Sequence, residues 1–114
     1  MIINTKRFIL RPIKISDANE TYLNWFKDKV VKENIFYASK NNNIKRLRSY
    51  IKKKINKKNV LFFCIISTRT KHHIGNIKFE PLDIKKKQVE MGIMIGDSNW
   101  RGQGVANEVL IACQ

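Results

Sequence analysis

Two glycines separated by one residue stand near the C-terminal end of this 114-residue chain, within Arg101-Gly102-Gln103-Gly104-Val105-Ala106. An apolar stretch precedes them, and a helical pattern begins at the second glycine. Glycine lets a backbone approach a ligand closely. The first N–H groups of a helix have no intrahelical partner and favour anions. We therefore predict an anion site built from the N–H groups of residues 103–106. Arg101 either adds positive charge to this site or is an ordinary surface arginine.

A single carboxylate interrupts the apolar stretch before the loop. Glu90 lies in the predicted strand 88–96, whose other residues are mainly apolar. Burial raises the pKa of a carboxyl group, and a general base accelerates a reaction by roughly 10²–10⁴-fold. We predict that Glu90 is a catalytic base, with pairing to a lysine such as Lys78 as the structural alternative. Three further candidates are predicted to be structural or surface residues: His72 and His73 in a turn, and Glu108 on the last helix.

The elements that must position these residues follow from the spacing of apolar side chains. Apolar runs of strand length predict strands, and apolar residues three and four apart predict amphipathic helices. The predicted strands are residues 7–13, 60–66, 74–79 and 88–96. The predicted helices are residues 17–27, capped by Ser16, residues 44–55, and residues from 104 onward. Residues 28–43 are predicted to be irregular, and residues 81–87 to form a lysine-rich turn. This order predicts an α+β fold, a mostly antiparallel sheet flanked by helices.

The first predicted helix carries aromatic residues at helical spacing. Tyr22, Trp25 and Phe26 recur as they do in a helix that packs against a core. If some of these rings line a cleft instead, Trp25 and Phe26 are the candidates for substrate binding.

Composition limits the function classes without selecting one. The net charge of +14 favours an anionic partner, yet AT-rich codons also favour the abundant lysine, isoleucine and asparagine. The lysines of residues 52–58 form either a solvated helix face or a basic surface. No apolar run approaches the ~20 residues of a membrane span, and the first residues lack the apolar core of a signal peptide. Cys64 and Cys113 lie in apolar runs, which predicts reduced core residues of a cytoplasmic protein. No metal site is predicted.

The loop residues fit the pattern Arg/Gln-x-x-Gly-x-Gly/Ala. Set after a strand and opening a helix, this pattern resembles the acetyl-coenzyme A pyrophosphate loop of the GNAT superfamily of N-acetyltransferases. Further stretches resemble the branch of ribosomal-protein N-terminal and bacterial amino-sugar acetyltransferases: Phe8-Ile9-Leu10-Arg11-Pro12, Tyr22-Leu23-Asn24-Trp25-Phe26-Lys27-Asp28, Ile74-Gly75-Asn76-Ile77 and Glu90-Met91-Gly92-Ile93-Met94-Ile95-Gly96. The order of elements resembles the first two-thirds of a GNAT domain. Residues 1–114 are therefore interpreted as the N-terminal two-thirds of one such domain, with the C-terminal part missing.

The resemblance implies a three-layer fold, acetyl-CoA as the cosubstrate and a small primary amine as the acetyl acceptor. Gly92 would mark a distortion of the strand that opens a slot for the thioester. The tyrosine that often protonates the leaving thiolate belongs to the missing part, so this acid and the activity of the 114-residue chain stay open. The implied cofactor contacts are the main chain of Ile93, Met94 and Ile95 along the pantetheine arm, and Arg101, Gly102, Gln103, Gly104, Val105 and Ala106 around the pyrophosphate.

Alternatives remain for the acceptor and for the function. Two other phosphate-binding loops fit poorly. A dinucleotide-binding loop would need a parallel strand–helix–strand unit around it, and a Walker loop would need Gly-Lys-Ser/Thr after the glycines, which this sequence lacks. The acceptor is either a nucleotide-linked amino sugar or a ribosomal-protein N-terminus. The competing functions are a basic nucleic-acid-binding module and a non-catalytic acetyltransferase remnant. Nucleic acid is not the favoured partner, because the lysines are not interleaved with aromatic residues as in a stacking platform. No membrane partner is predicted, and a homodimer is an open alternative.

Overall fold

A computed structural model of the chain describes residues 1–29, 31, 43–83 and 88–113. Its helices are α1 (Glu20–Trp25), α2 (Ile44–Ile55) and α3 (Val105–Ala112), with 3-10 turns at Ile15–Asp17 and Ser98–Trp100. Its strands are β1 (Ile3–Asn4), β2 (Phe8–Pro12), β3 (Leu61–Ser67), β4 (His73–Asp83) and β5 (Gln88–Ile95). Most of the predicted irregular segment and residues 84–87 of the predicted lysine-rich turn lie outside the described residues, whereas residues 81–83 of that turn belong to β4.

The five strands form one sheet in the order β1-β2-β3-β4-β5, and every neighbouring pair is antiparallel. Strands that follow one another in the chain are therefore neighbours in space, and the predicted antiparallel sheet is confirmed. Strand β3 lies at the centre, and β5 forms one edge of the described sheet. The strand at this edge leads directly into the glycine loop.

Both faces of the sheet are covered, and successive residues of β3 supply the two cores. Phe62 and Cys64 pack with α1 and α2 on one face, whereas Phe63 and Ile65 pack with α3 on the other. Side chains alternate across a strand, so a continuous apolar strand must be covered on both faces. Full burial of each large apolar side chain contributes roughly 1.5–3 kcal/mol. The result is the predicted three-layer arrangement.

The start of α1 differs from the prediction. The chain forms a 3-10 turn at Ile15–Asp17, and α1 begins only at Glu20. Asn19, rather than Ser16, is the N-cap, and its side chain accepts a hydrogen bond from the N–H of Tyr22 at 3.1 Å. Asparagine and serine are comparable N-caps, so the sequence offered two starts. The carboxylate of Asp17 is engaged elsewhere, which favours the later one. By contrast, α2 has its predicted bounds.

Candidate active site

The glycine loop adopts a backbone conformation that only glycine tolerates well. Gly102 and Gly104 have φ angles of +73° and +75°, in the left-handed region that disfavours a Cβ atom. Gly104 is the N-cap of α3, so the N–H groups of Val105 and Ala106 lie in the first turn of that helix. These N–H groups have no acceptor within the helix, and the helix dipole adds partial positive charge beside them.

Arg101 does not extend into the space above this loop. Its guanidinium donates to the carbonyl oxygen of Ile95 through Nε and Nη2 at 3.2 and 3.0 Å. Nη1 pairs with both carboxylate oxygens of Asp28, at 3.1 and 3.0 Å. Arg101 therefore links the end of β5 to the segment after α1. This placement does not support the predicted contact of Arg101 with a phosphate.

The edge of β5 presents main-chain groups beside the loop. The N–H of Gly96 donates to the carbonyl of Ile74 at 2.9 Å. Because hydrogen-bonded pairs alternate along an antiparallel ladder, the register makes Asn76 and Met94 a hydrogen-bonded pair as well. The N–H and C=O groups of Ile93 and Ile95 therefore point away from β4. Of the three predicted main-chain contacts, Ile93 is the best placed, Ile95 already accepts from Arg101, and Met94 faces β4.

Next to this edge lies a small cavity of ≈ 90 Å³ between the sheet and the helices α1 and α2. Gly92 contributes no side chain there, and a Cβ atom built on it would meet nothing within 4 Å. The register of β5 is regular at Gly92, so the predicted strand distortion is wrong. The lining residues are Tyr22, Phe26, Tyr50, Phe62, Asn76, Lys78, Gly92, Ile93 and Met94.

The two aromatic candidates for substrate binding separate in the structure. Phe26 lines the cavity. Trp25 packs behind it, with its ring 5.2 Å from that of Tyr22 and 4.8 Å from that of His73. Both candidates are also core residues, with 6% of Trp25 and 5% of Phe26 exposed.

Glu90 is exposed, which corrects the prediction that it is buried. It lies opposite Glu80 across the β4–β5 ladder, near the start of the strand at one edge of the described sheet. Lys78 pairs with Glu80 instead of Glu90, at 2.8 Å. Since Glu90 is two residues from Gly92, the two share a face of the strand. Glu90 therefore lies on the side of the sheet that holds the cavity.

A lysine–glutamate–lysine group at the rim of the cavity was not predicted. Glu80 binds Lys54 of α2 at 2.7 Å and Lys78 of β4 at 2.8 Å. Burial raises the pKa of Glu80, but the hydrogen bonds from the two lysines outweigh it and lower the pKa to about 2. Lys78 also donates to the hydroxyl of Tyr50 at 2.8 Å. The spacing of lysines on α2 could have indicated that one of them faces inward, as Lys54 does, but not that its partner is Glu80 on β4.

A buried polar group behind the cavity connects three elements. Arg11 donates to both carboxylate oxygens of Asp17, at 2.8 and 2.7 Å, and the thiol of Cys64 donates to the same carboxylate at 3.3 Å. Burial raises the pKa of Asp17, but hydrogen bonds from Arg11 and the N–H of Lys14 lower it to about 2. Asp17, Cys64 and His73 bring three possible metal-ligand atoms within 4.8 Å of one another. Because Arg11 already pairs with the carboxylate of Asp17, a metal ion is not needed there to balance its charge.

His73 is half-buried, so the prediction that it is a surface residue is wrong, whereas His72 is exposed as predicted. Burial lowers the pKa of His73, which favours the neutral ring. Its Nε2 lies 2.6 Å from Oδ1 of Asn76. With the proton on Nε2, the imidazole donates to that oxygen and fixes the orientation of the amide. The sequence did not predict this pairing, because nothing in the local pattern indicates that the side chains of His73 and Asn76 meet.

Glu108 anchors α3 to the start of the chain, which confirms its predicted structural role. Its carboxylate accepts hydrogen bonds from the hydroxyl of Thr5, from the N–H of Arg7 at 2.9 Å, and from Nε of Arg7 at 2.6 Å. Arg7 also donates through Nη2 to the carbonyl of Gln103 at 2.8 Å. The segment between β1 and β2 thus holds the glycine loop and the first turn of α3.

The fold and this site match a known family. The family model described as acetyltransferase (GNAT) domain matches residues 7–114. The chain therefore belongs to the GNAT acetyltransferase family. A search of the curated proteins found no match.

Solved structures show the same fold. RimL, described as a ribosomal L7/L12 α-N-protein acetyltransferase in complex with coenzyme A, is 15% identical with a TM-score of 0.83, over 99% of this chain and 65% of that one. A GNAT-family acetyltransferase from Bacillus anthracis is 20% identical with a TM-score of 0.77, over 99% and 63%. The microcin C7 self-immunity acetyltransferase MccE, in complex with acetyl-CoA and AMP, is 18% identical with a TM-score of 0.74, over 95% and 61%. The chain thus spans less than two thirds of each relative.

Among its described residues, no helix combines the length and apolar character needed to cross a membrane.

Proposed function

We propose that this chain binds acetyl-CoA and transfers the acetyl group to a primary amine. The observation that carries the proposal is the junction of β5, the glycine loop and α3. At this junction, two left-handed glycines precede a helix N-terminus, and the outward main-chain groups of Ile93 lie alongside. The pyrophosphate would accept from the N–H groups of residues 103–106, and the pantetheine arm would pair with the edge of β5. The complexes of RimL with coenzyme A and of MccE with acetyl-CoA support this choice of cofactor.

The cavity beside Gly92 is the proposed place for the amine. It opens next to the edge of β5, so an amine within it would lie close to a thioester held along that edge. Alignment of two reactants can supply about 7–11 kcal/mol of the barrier. Phe26 would contribute to its wall, whereas Trp25 would act by supporting Tyr22 from behind.

Glu90 remains the proposed base, in a modified form. The amine must lose a proton before it attacks, and an exposed carboxylate can receive that proton through water. Glu90→Gln should lower kcat and leave the affinity for acetyl-CoA unchanged. An unchanged kcat would remove Glu90 from the mechanism.

Calorimetric titration with acetyl-CoA tests the cofactor assignment. We expect binding to the wild-type chain and at least a tenfold weaker affinity for Gly104→Val, because a β-branched residue disfavours the left-handed backbone that presents the N–H groups. Lys53→Ala, at an exposed position of α2, is the matched control and should bind normally. Equal binding by wild type and Gly104→Val, or no binding by a folded wild-type chain, would refute the proposal. Release of coenzyme A in the presence of an amine then tests the transfer itself.

A further inference from the structure

Asn76 is the least satisfied polar residue of the cavity wall. It is 4% exposed, and its Oδ1 is taken by Nε2 of His73. Its Nδ2 is the one buried side-chain nitrogen or oxygen that lacks a hydrogen-bond partner within the part of the chain that the structure describes. Buried donors are nearly always paired, because an unpaired donor loses its hydration without compensation. A bound molecule with an acceptor atom would restore this hydrogen bond.

The surroundings of Asn76 define what kind of acceptor atom fits. The only cation among the described lining residues is Lys78, and its ammonium is already shared between Glu80 and the hydroxyl of Tyr50. A carboxylate would therefore enter an apolar cavity with a single amide donor, which does not offset its desolvation. An uncharged oxygen, such as a carbonyl or a hydroxyl, carries no such penalty.

The same wall disfavours an amine with a second positive charge. None of the described lining residues is acidic. Glu80, beside Lys78 at the rim, already faces two lysines. The further ammonium group of a polyamine would therefore find no carboxylate among the described residues that line the cavity.

We propose that Asn76 is a specificity-determining residue, whose Nδ2 donates to an uncharged oxygen next to the reacting amine of the acceptor. This inference rests on the proposed acetyl transfer. The oxygen has two possible sources, the carbonyl of an α-amino amide or a hydroxyl of an amino sugar. Seryl-alanine amide and glucosamine represent these sources. Propylamine lacks the oxygen, and spermidine also carries additional charge.

The test compares kcat/KM for these four amines in the wild type, Asn76→Leu and Asn76→Asp. Both variants lack the Nδ2 donor, and Asn76→Asp keeps an oxygen for His73. For the wild type, at least one oxygen-bearing amine should exceed propylamine by about tenfold, the usual effect of one hydrogen bond to a buried group. Both variants should reduce this ratio to near one. Ile77→Val, buried on the opposite face of β4, is the control and should keep the ratio.

Three results would overturn the inference: an unchanged ratio in both variants, an equal loss on all four amines, or a preference for spermidine. If the variants do not fold, the side-chain amide protons of Asn76 in the wild-type NMR spectrum replace them. These signals should shift with the preferred oxygen-bearing amine and not with propylamine, and the absence of a shift would contradict the inference. Failure of the proposed function is distinct, because it would appear as a lack of acetyl-CoA binding and of transfer to all four amines.

Discussion

The indole of Trp25 lies directly against the backbone of Gly96, so that a Cβ atom at Gly96 would fall 1.9 Å from Cδ2 of the ring. This contact joins the last turn of α1 to the residue that follows β5. It is possible only because position 96 has no side chain. The position of α1, and with it one wall of the cavity, therefore depends on this glycine.

Replacement of Gly96 by alanine should destabilise the chain. The indole must move or the end of β5 must shift, and overpacking of this kind costs about 1–3 kcal/mol. The measurement is the free energy of unfolding from urea denaturation. Gly92→Ala is the matched control, since a Cβ atom there meets nothing within 4 Å. The control should unfold with wild-type stability or slightly above it, and a loss as large as that of Gly96→Ala would contradict the explanation.

The Arg11–Asp17 pair predicts a loss of stability in acid. The folded-state pKa of Asp17 is about 2, below its ordinary value of 3.8, so the folded state favours the charged carboxylate. Its contribution is therefore complete above about pH 5 and is lost as the pH falls through 4 towards 2. Asp17→Asn should cost on the order of 2 kcal/mol at pH 7 and little near pH 2.

Urea denaturation across this pH range measures the effect of the pair. Glu20→Gln, at an exposed carboxylate of α1, is the matched control, and its free energy of unfolding at pH 7 should stay within about 0.5 kcal/mol of the wild type. A difference between the wild type and Asp17→Asn that stays constant from pH 7 to pH 2 would contradict the assigned cause.

Lys54 should contribute more to the stability of the fold than Lys53, its neighbour on α2. Its ammonium reaches Glu80 on β4, with 16% of the side chain exposed, whereas Lys53 is exposed to solvent. Loss of a partly buried ion pair typically costs about 1 kcal/mol, and an exposed substitution stays within about 0.5 kcal/mol. Thermal denaturation of Lys54→Met and Lys53→Met compares the two. Equal melting temperatures would show that the contact with Glu80 is energetically unimportant.

Arg101 and Asp28 should act as one unit on cofactor binding. Because Arg101 holds the end of β5 and pairs with Asp28, Arg101→Gln and Asp28→Asn should each weaken acetyl-CoA binding by displacing the loop. The double variant should be little worse than either single one, since the two residues share one contact. Affinity measured by calorimetry completes this double-mutant cycle. Tighter binding by Asp28→Asn would instead indicate that Arg101 is released to contact a phosphate.

The features that the sequence predicts well are those that depend on local spacing. The apolar residues Leu47 and Ile51 predict α2 and its buried face, and the glycines predict a loop that opens α3, although not its left-handed backbone. Glu90 shows where this reasoning stops. Its strand is apolar, which indicates burial, but β5 lies at an edge of the described sheet, and Val89 is 60% exposed beside it. Whether a strand is central or at an edge depends on the whole topology and not on the strand itself.

Contacts between distant residues account for the remaining differences. Asp17 reads as an ordinary acid at the start of a helix, yet it binds Arg11 and accepts a hydrogen bond from the thiol of Cys64. His73 reads as a turn residue, but the bulge at Ile65 and Ile66 brings it into the sheet, against the aromatic rings of α1. Such partners are set by packing, so no local pattern reveals them.

The carboxylate of Glu108 joins residues that are about one hundred positions apart in the chain, because its partners are Thr5 and Arg7. These contacts determine when the proposed cofactor site can form during synthesis. During synthesis, the first strands would leave the ribosome with their acidic partner still unmade, and the loop could not take its final shape until α3 had emerged. A bulky extension fused at the N-terminus would act on the same junction, so its effect should appear in cofactor affinity rather than at the acceptor cavity.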